Sequence, residues 1–254
     1  MDAPTVSLVG VPGVPMVQPG DDLPAMVVGV LTQAGLEPQA SDVVVITSKI
    51  VSKAEGRTVD LRTIEPSPRA RELAEVTEKD PELVELILRE STEVVRAVPG
   101  VLLVRHRLGF MSANAAIDRS NADGSEHTAL LMPIDPDASA GRIHGAIESA
   151  FGAGIGVVIT DTHGRPFRKG NIGVAVGIAG FEGLVDMSGA HDLFGRELKA
   201  TIVPLADELA AAAALVSGET SEGLPIVLVR GVALTPGDRG TQDLLFEADR
   251  DLFR

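Results

Sequence analysis

Asp161, Thr162, Arg165, Arg168 and Lys169 fall within one short run, DTHGRPFRK, directly behind the apolar stretch GVVIT. A carboxylate and a hydroxyl side by side are hard oxygen donors, the kind that Mg2+ or Mn2+ takes when it is shared with a phosphate. Arg165 and Arg168 can grip an anion through paired N–H groups, and Lys169 offers a compact positive charge. Gly164 and Gly170 allow the backbone to turn tightly against a ligand. The same residues also suit a solvated turn after a core strand, and alone they do not choose between the two.

Three further clusters carry similar chemistry. In RHRLGFMSANAAIDRSN, Asp118 and Asn121 are spaced to face one point, Asp118 toward a metal and Asn121 toward a base or ribose. An N-cap or an ion pair with Arg119 is the simpler account of Asp118 taken alone, and His106, between Arg105 and Arg107, reads as a surface residue. In SGETSEGLP, residues 217 to 225, Gly218 ends a helix and Glu219, Thr220 and Ser221 offer oxygens to a metal and to phosphates. A polar loop after a helix explains the glycines there; only Glu219 exceeds that explanation. GVPGVPMVQPGDD near the start makes a rigid, extended turn that exposes backbone amides, suited to holding a guanine or ribose and equally to turning a corner. Neither GxGxxG nor GxxxxGK[ST] occurs, which disfavours Rossmann and P-loop mechanisms.

The elements that must position these clusters alternate between β-rich and amphipathic segments, so a mixed α/β fold is predicted. Strands are predicted over Val6–Val9, Val43–Thr47, Val101–Arg105, Ala129–Met132, Val157–Thr160, Ile172–Ile178 and Ile226–Val229. Helices are predicted over Leu23–Ala34, Pro68–Thr77, Pro81–Glu90, Ala140–Phe151 and Leu205–Val216, several opening with Pro or an acid in the first turn. Residues 57–99 are richer in charge than their flanks and carry two helical patterns split by KDPE, an excursion that suits a sub-domain or a dimerising arm. VVVITSK and GVVITDT end alike, each delivering a hydroxyl and a polar or charged residue from a strand's carboxyl end, where open α/β sheets gather ligands. Chance likeness of two Val-rich strands explains that equally well.

Composition narrows the partners. Thirty-six acidic and 22 basic residues give a net charge of −14, whose field repels nucleic acid and anionic membranes. An anionic substrate therefore needs a local basic pocket. With no cysteine, thiolate metal sites and cysteine nucleophiles are excluded and a reducing cytoplasm is permitted. No segment approaches a membrane span or a signal peptide, so a soluble cytoplasmic protein is expected. The 7 Phe, with no Trp or Tyr, leave little scope for aromatic stacking on a planar ligand.

Taken in order, GVPGVP, ITSKIVSKAEG, ANAAIDRSN, VVITDTHGRPFRKGNIGVAVG and ELAAAAALVSGETSEGLPIVLVRG resemble the coenzyme F420-0:L-glutamate ligase family, over nearly the whole chain. The resemblance implies a GDP-forming acid–amino-acid ligase that uses GTP to add L-glutamate to coenzyme F420-0 through an acyl phosphate. It implies an α/β fold peculiar to that family, an intertwined homodimer, and two divalent ions (Mg2+ or Mn2+) between protein and nucleotide, with K+ a candidate monovalent ion. Carried over by position, Val11, Pro12, Gly13 and Val14, with Ser48 and Lys53, contact GTP, and Asn121 contacts the nucleotide. Asp118 and Asp161 hold one metal, and Thr162 and Glu219 hold the second. Ser217, Gly218, Thr220, Ser221, Glu222, Gly223 and Leu224 wrap the nucleotide. Asp161 also falls in the catalytic set, with Arg165, Arg168 and Lys169 as cations for phosphates or the anionic deazaflavin. Relatives often have Gln where Glu219 stands and Met where Ser217 stands, so affinity at the second metal is expected to differ. Some actinobacterial relatives continue into a flavin-binding domain; this sequence stops near LLFEADRDLFR, and residues 1–254 are expected to form the ligase domain alone. Two other functions fit the same motifs: a non-catalytic module that binds GTP and metal, and a related ligase for another carboxylate.

Overall fold

The structure is a computed structural model that describes residues 3–121, 124–247 and 250–251. Along the chain come β1 (Ser7–Gly10), α1 (Leu23–Gln33), β2 (Val43–Thr47), α2 (Ser48–Ala54), β3 (Thr58–Asp60), α3 (Pro68–Thr77), α4 (Pro81–Arg89), β4 (Ser91–Val98), β5 (Val101–His106), β6 (Met111–Ala113), β7 (Thr128–Leu130) and α5 (Pro136–Phe151). They are followed by β8 (Gly156–Arg165), β9 (Arg168–Ala179), β10 (Val185–Asp186), β11 (Ile202–Val203), α6 (Leu205–Ser217) and β12 (Ile226–Arg230). Helix starts follow from local chemistry. Asp22, Ser67 and Asp135 each accept a backbone N–H three residues ahead, with a Pro in the first turn behind them.

The main sheet has the order β1-β12-β2-β8-β9, and only β2 and β8 run parallel, paired from Val43↔Gly156 to Thr47↔Thr160. Both faces are covered, which is why these strands read as unbroken apolar runs. Val44, Ile46, Val157 and Ile159 pack against α1 and α5, while Val43, Val45 and Val158 pack against α6. Two helices approach β9 where it has no side chain. A Cβ at Gly173 would lie 2.5 Å from the carbonyl oxygen of Ala210 in α6, and one at Gly177 would lie 2.5 Å from that of Pro136 in α5.

A second core forms between β3 and β7 of the chain. Leu73, Ala74, Leu83, Val84 and Ile87 of α3 and α4 pack on Leu102 and Val104 of β5, and Leu61, Ala115, Ala129 and Leu131 close it. This unit takes in the charged stretch 57–99 and continues to residue 131, including the three-stranded sheet β4-β5-β6.

The structure differs from the sequence-based expectations in several places: His106, expected at the surface, is fully buried, and four elements depart from their predicted form. The segment after Thr160 is no loop: β8 runs on to Arg165 and returns as β9 from Arg168, paired across the hairpin with a register shift near its tip and another at Thr160. The segment after Thr47 is the two-turn helix α2 rather than a strand end. Residues Ser91–Val98 form the charged edge strand β4. Helix α5 starts at Pro136, four residues earlier than its apolar periodicity, because Asp135 caps it there.

Candidate active site

β2 and β8 deliver their carboxyl ends to the same place. Thr47 and Thr160 are partners in register, so Ser48 and Asp161 emerge side by side, and the Ser48 hydroxyl donates to Asp161 Oδ1 at 2.7 Å. The other carboxylate oxygen, Asp161 Oδ2, lies 3.0 Å from His163 Nε2. Residues 161 and 163 share a strand face by the period-two alternation, which explains the contact. Opposite, α6 ends at Gly218, whose φ of +67 suits glycine, and the chain folds over the strand ends as the loop Glu219–Pro225. A Cβ at Gly218 would collide with the Glu222 side chain, which turns back to accept the backbone N–H and hydroxyl of Thr220. The backbone N–H groups of Glu222 itself and of Thr220 hold the Glu222 carboxyl below its ordinary pKa.

Between the strand ends and this loop lies a cavity of about 570 Å3, within the range of small-molecule and cofactor sites. Its described lining includes Met16, Ser48, Lys49, Lys53, Asn121, Gly124, Asp161, Thr162, Gly173 and the run Ser217 to Pro225. The Thr162 hydroxyl donates to Glu219 Oε1 at 3.0 Å, and the Asn121 amide donates to the Thr220 carbonyl at 3.2 Å. Asp118 stands beside the cavity, its Oδ2 2.7 Å from the ammonium of Lys49 and its Oδ1 bonded by the Ser120 hydroxyl. Behind the wall, burial raises the pKa of Asp207 in α6, against the backbone N–H of Ala175.

The structure thus gathers Ser48, Lys53, Asn121, Asp161, Thr162, Ser217, Gly218, Glu219, Thr220, Ser221, Glu222, Gly223 and Leu224 on one cavity, with Asp118 reached through Lys49. It does not gather the rest there. Arg165, Arg168 and Lys169 sit at the tip of the β8–β9 hairpin, outside the described lining, and the Arg165 guanidinium donates to the Gly170 carbonyl. The hairpin replaces the tight loop in which those cations would have faced Asp161. Val11 is fully buried in the main core and its backbone N–H is taken by Ile226, while Pro12, Gly13 and Val14 lie on the same segment as the cavity residue Met16. Sequence reasoning gave no role to Lys49 or His163. Reading β8 through to Arg165 would have put His163 on the face of Asp161.

The donor set suits a divalent cation. Asp161 and Glu219 contribute carboxylates and Thr162 a hydroxyl on the cavity wall, and the carboxylate of Asp118 attracts a cation already, in the form of Lys49. Among the described residues no group of three or more His, Asp or Glu is preassembled as a metal cluster.

Comparison with known proteins gives the chain's relatives. Residues 13–231 match the family described as F420-0:Gamma-glutamyl ligase. The chain is 46% identical to coenzyme F420:L-glutamate ligase of Methanothermobacter thermautotrophicus over 98% of its length and 99% of the relative's. It is 44% identical to the protein of the same name from Methanopyrus kandleri, over 99% and 98%, and 39% identical to that of Archaeoglobus fulgidus, over 98% and 96%. With β2, β8 and the loop after α6 all inside the matched residues, the chain belongs to the F420-0:gamma-glutamyl ligase family.

Proposed function

We propose that this protein is a GTP-dependent, GDP-forming ligase that joins L-glutamate to coenzyme F420-0 in F420 biosynthesis. The single observation that carries it is the meeting of Asp161, Thr162, Glu219 and Asn121 on one nucleotide-sized cavity in a chain so similar to coenzyme F420:L-glutamate ligases. A carboxylate at neutral pH does not react with an amine. Transfer of the γ-phosphoryl group of GTP to the substrate carboxylate gives an acyl phosphate and GDP. The glutamate nitrogen then attacks the acyl carbon, phosphate leaves, and the amine loses a proton as the amide forms. Such a phosphoryl transfer depends on alignment and charge neutralisation more than on covalent help from the protein.

In this reading Asp118 and Asp161 hold one divalent ion and Thr162 and Glu219 a second. Such ions, Mg2+ or Mn2+, would supply positive charge against the phosphate oxygens. Lys49 and Lys53 add positive charge to the same wall, and the loop of residues 217–224 wraps the nucleotide. K+ is a candidate monovalent ion. Arg165, Arg168 and Lys169, at the hairpin tip of one protomer, serve a second protomer's substrate if the enzyme is a homodimer. Dimerisation is supported by large apolar side chains left almost fully exposed: Phe167 at that tip, and Leu193 and Phe194 in the segment between β10 and β11. The enzyme acts in the cytoplasm, where GTP is supplied; among the described residues no helix is long and apolar enough to cross a membrane.

Mass spectrometry of the deazaflavin after incubation with F420-0, glutamate, Mn2+ or Mg2+, and either GTP or ATP tests the proposal. Glutamyl increments that require GTP are expected. Unchanged substrate with GTP bound would favour a non-catalytic module or another carboxylate substrate. Light scattering on the same preparation reads the dimer.

A further inference from the structure

We infer that His163 is a positioning residue for Asp161, and that its ring is held in place by Phe110, in the turn between β5 and β6, and by His106 at the end of β5. This rests on the proposal that Asp161 is a metal ligand. A carboxylate has about four lone-pair directions. In Asp161 one on Oδ1 is taken by the Ser48 hydroxyl and one on Oδ2 by His163 Nε2, which leaves one direction on each oxygen for a ligand in the cavity. Two donors from different elements, α2 and β8, fix the plane of the carboxylate better than either alone.

The His163 side chain is 10% exposed and is packed as well as bonded. The Phe110 ring meets it at 4.9 Å between centroids, tilted by 47°, and Phe110 stacks face to face on His106 at 4.8 Å. His106 is fully buried and rigidly placed: its Nδ1 accepts the Leu108 N–H and its own backbone N–H donates to the Phe110 carbonyl. These bonds close the turn between β5 and β6, from which Phe110 packs against the main core beside His163. Groups that orient a metal ligand without touching the metal commonly matter as much as the ligand's own placement.

The test is binding of Mn2+ alone, read from the electron paramagnetic resonance of the free ion, together with the metal dependence of turnover. His163→Leu is expected to weaken Mn2+ binding by roughly 10- to 100-fold, and to raise the apparent KM for Mn2+ while kcat at saturating metal largely recovers. His163→Gln, which keeps an N–H near the position of Nε2, is expected to restore most of the affinity, a rescue that a purely structural role would not give. Phe110→Leu is expected to produce a smaller weakening, and carries the test should His163→Leu not fold. Wild-type Mn2+ affinity in these variants, alongside loss of binding in Asp161→Ala, would overturn the inference and leave the metal site standing. Unchanged binding in Asp161→Ala itself would overturn both.

Discussion

The main sheet and the second core treat charge in opposite ways. The buried side chains of β2, β8 and β12 are apolar until Thr160, and charged groups stand at the strand ends, Asp42 with Arg230 at one and Asp161 at the other. The second core keeps Glu90 and His106 inside. Glu90 Oε2 accepts from Arg57 at 2.9 Å and Arg107 at 3.0 Å and lies 3.7 Å from His106 Nε2, while the two arginines also bind the carbonyls of Met132, Pro133 and Ile134. The charges at the cavity end of the sheet lie outside its core and can be removed without loosening it, whereas Asp42 and Arg230 bond to each other at the far end. Those of the second core join α4, β5 and the segment leading to α5, so their protonation state is part of the fold.

The strongest test of that contrast is Asp161→Ala, expected to lower turnover on the order of a hundredfold or more, by analogy with loss of one electrostatic stabiliser, with little change in melting temperature. Retained turnover with a large loss of melting temperature would reverse the contrast. In the sheet, stability is expected to reside in apolar volume: Ile46→Ala and Ile159→Ala, both fully buried, are each expected to cost about 2–5 kcal/mol in urea unfolding.

Acid separates the two regions further. Burial raises the pKa of Glu90, but the nearby His106, the hydrogen bond from Arg107 and the charge of Arg57 outweigh it and hold the carboxyl at about 2, against an ordinary 4.5. A lowered carboxyl pKa means that the unfolded chain binds the proton first as pH falls, so the stabilisation is complete above about 4.5 and is lost on the way down to about 2. It amounts to roughly 3 kcal/mol. His106 acts in the same direction at milder pH: burial lowers its pKa from 6.5, so below that value the unfolded state again takes the proton first. Melting temperature is therefore expected to fall in two stages on acidification, and Glu90→Gln to diminish the lower one. The smallest expected effect is that of Ser48→Ala, about 1 kcal/mol for one hydrogen bond, read in the same urea experiment.

Much of the scaffold was legible because it is apolar and periodic. β2, the first half of β8, β12 and the bodies of α1, α3, α4 and α6 follow directly from their hydrophobic spacing. What was not legible is polar or short. TDTHGR has no apolar alternation, and it is strand because β9 pairs with it as far as Arg165↔Arg168. SKIVSKA spans too few turns to show a period, and β4 is a bulged, charged edge strand whose partner lies on its other side. The site divides along the same line. Asp161, Thr162, Asn121 and Glu219 could be named from motifs, whereas Lys49 and His163 depend on knowing that one strand stops at Thr47 while its neighbour continues past Thr160.

The absent side chain at Gly173 acts at a distance from its own position. Because β9 offers only hydrogen there, α6 settles onto the sheet at the level of Ala210, and two turns later the same helix releases the loop that covers the cavity. The clearance between roof and floor is thus set by helix-to-sheet spacing, as a shim sets the gap between two plates. A single methyl inserted at residue 173 would lift the roof by pushing α6 away from the sheet.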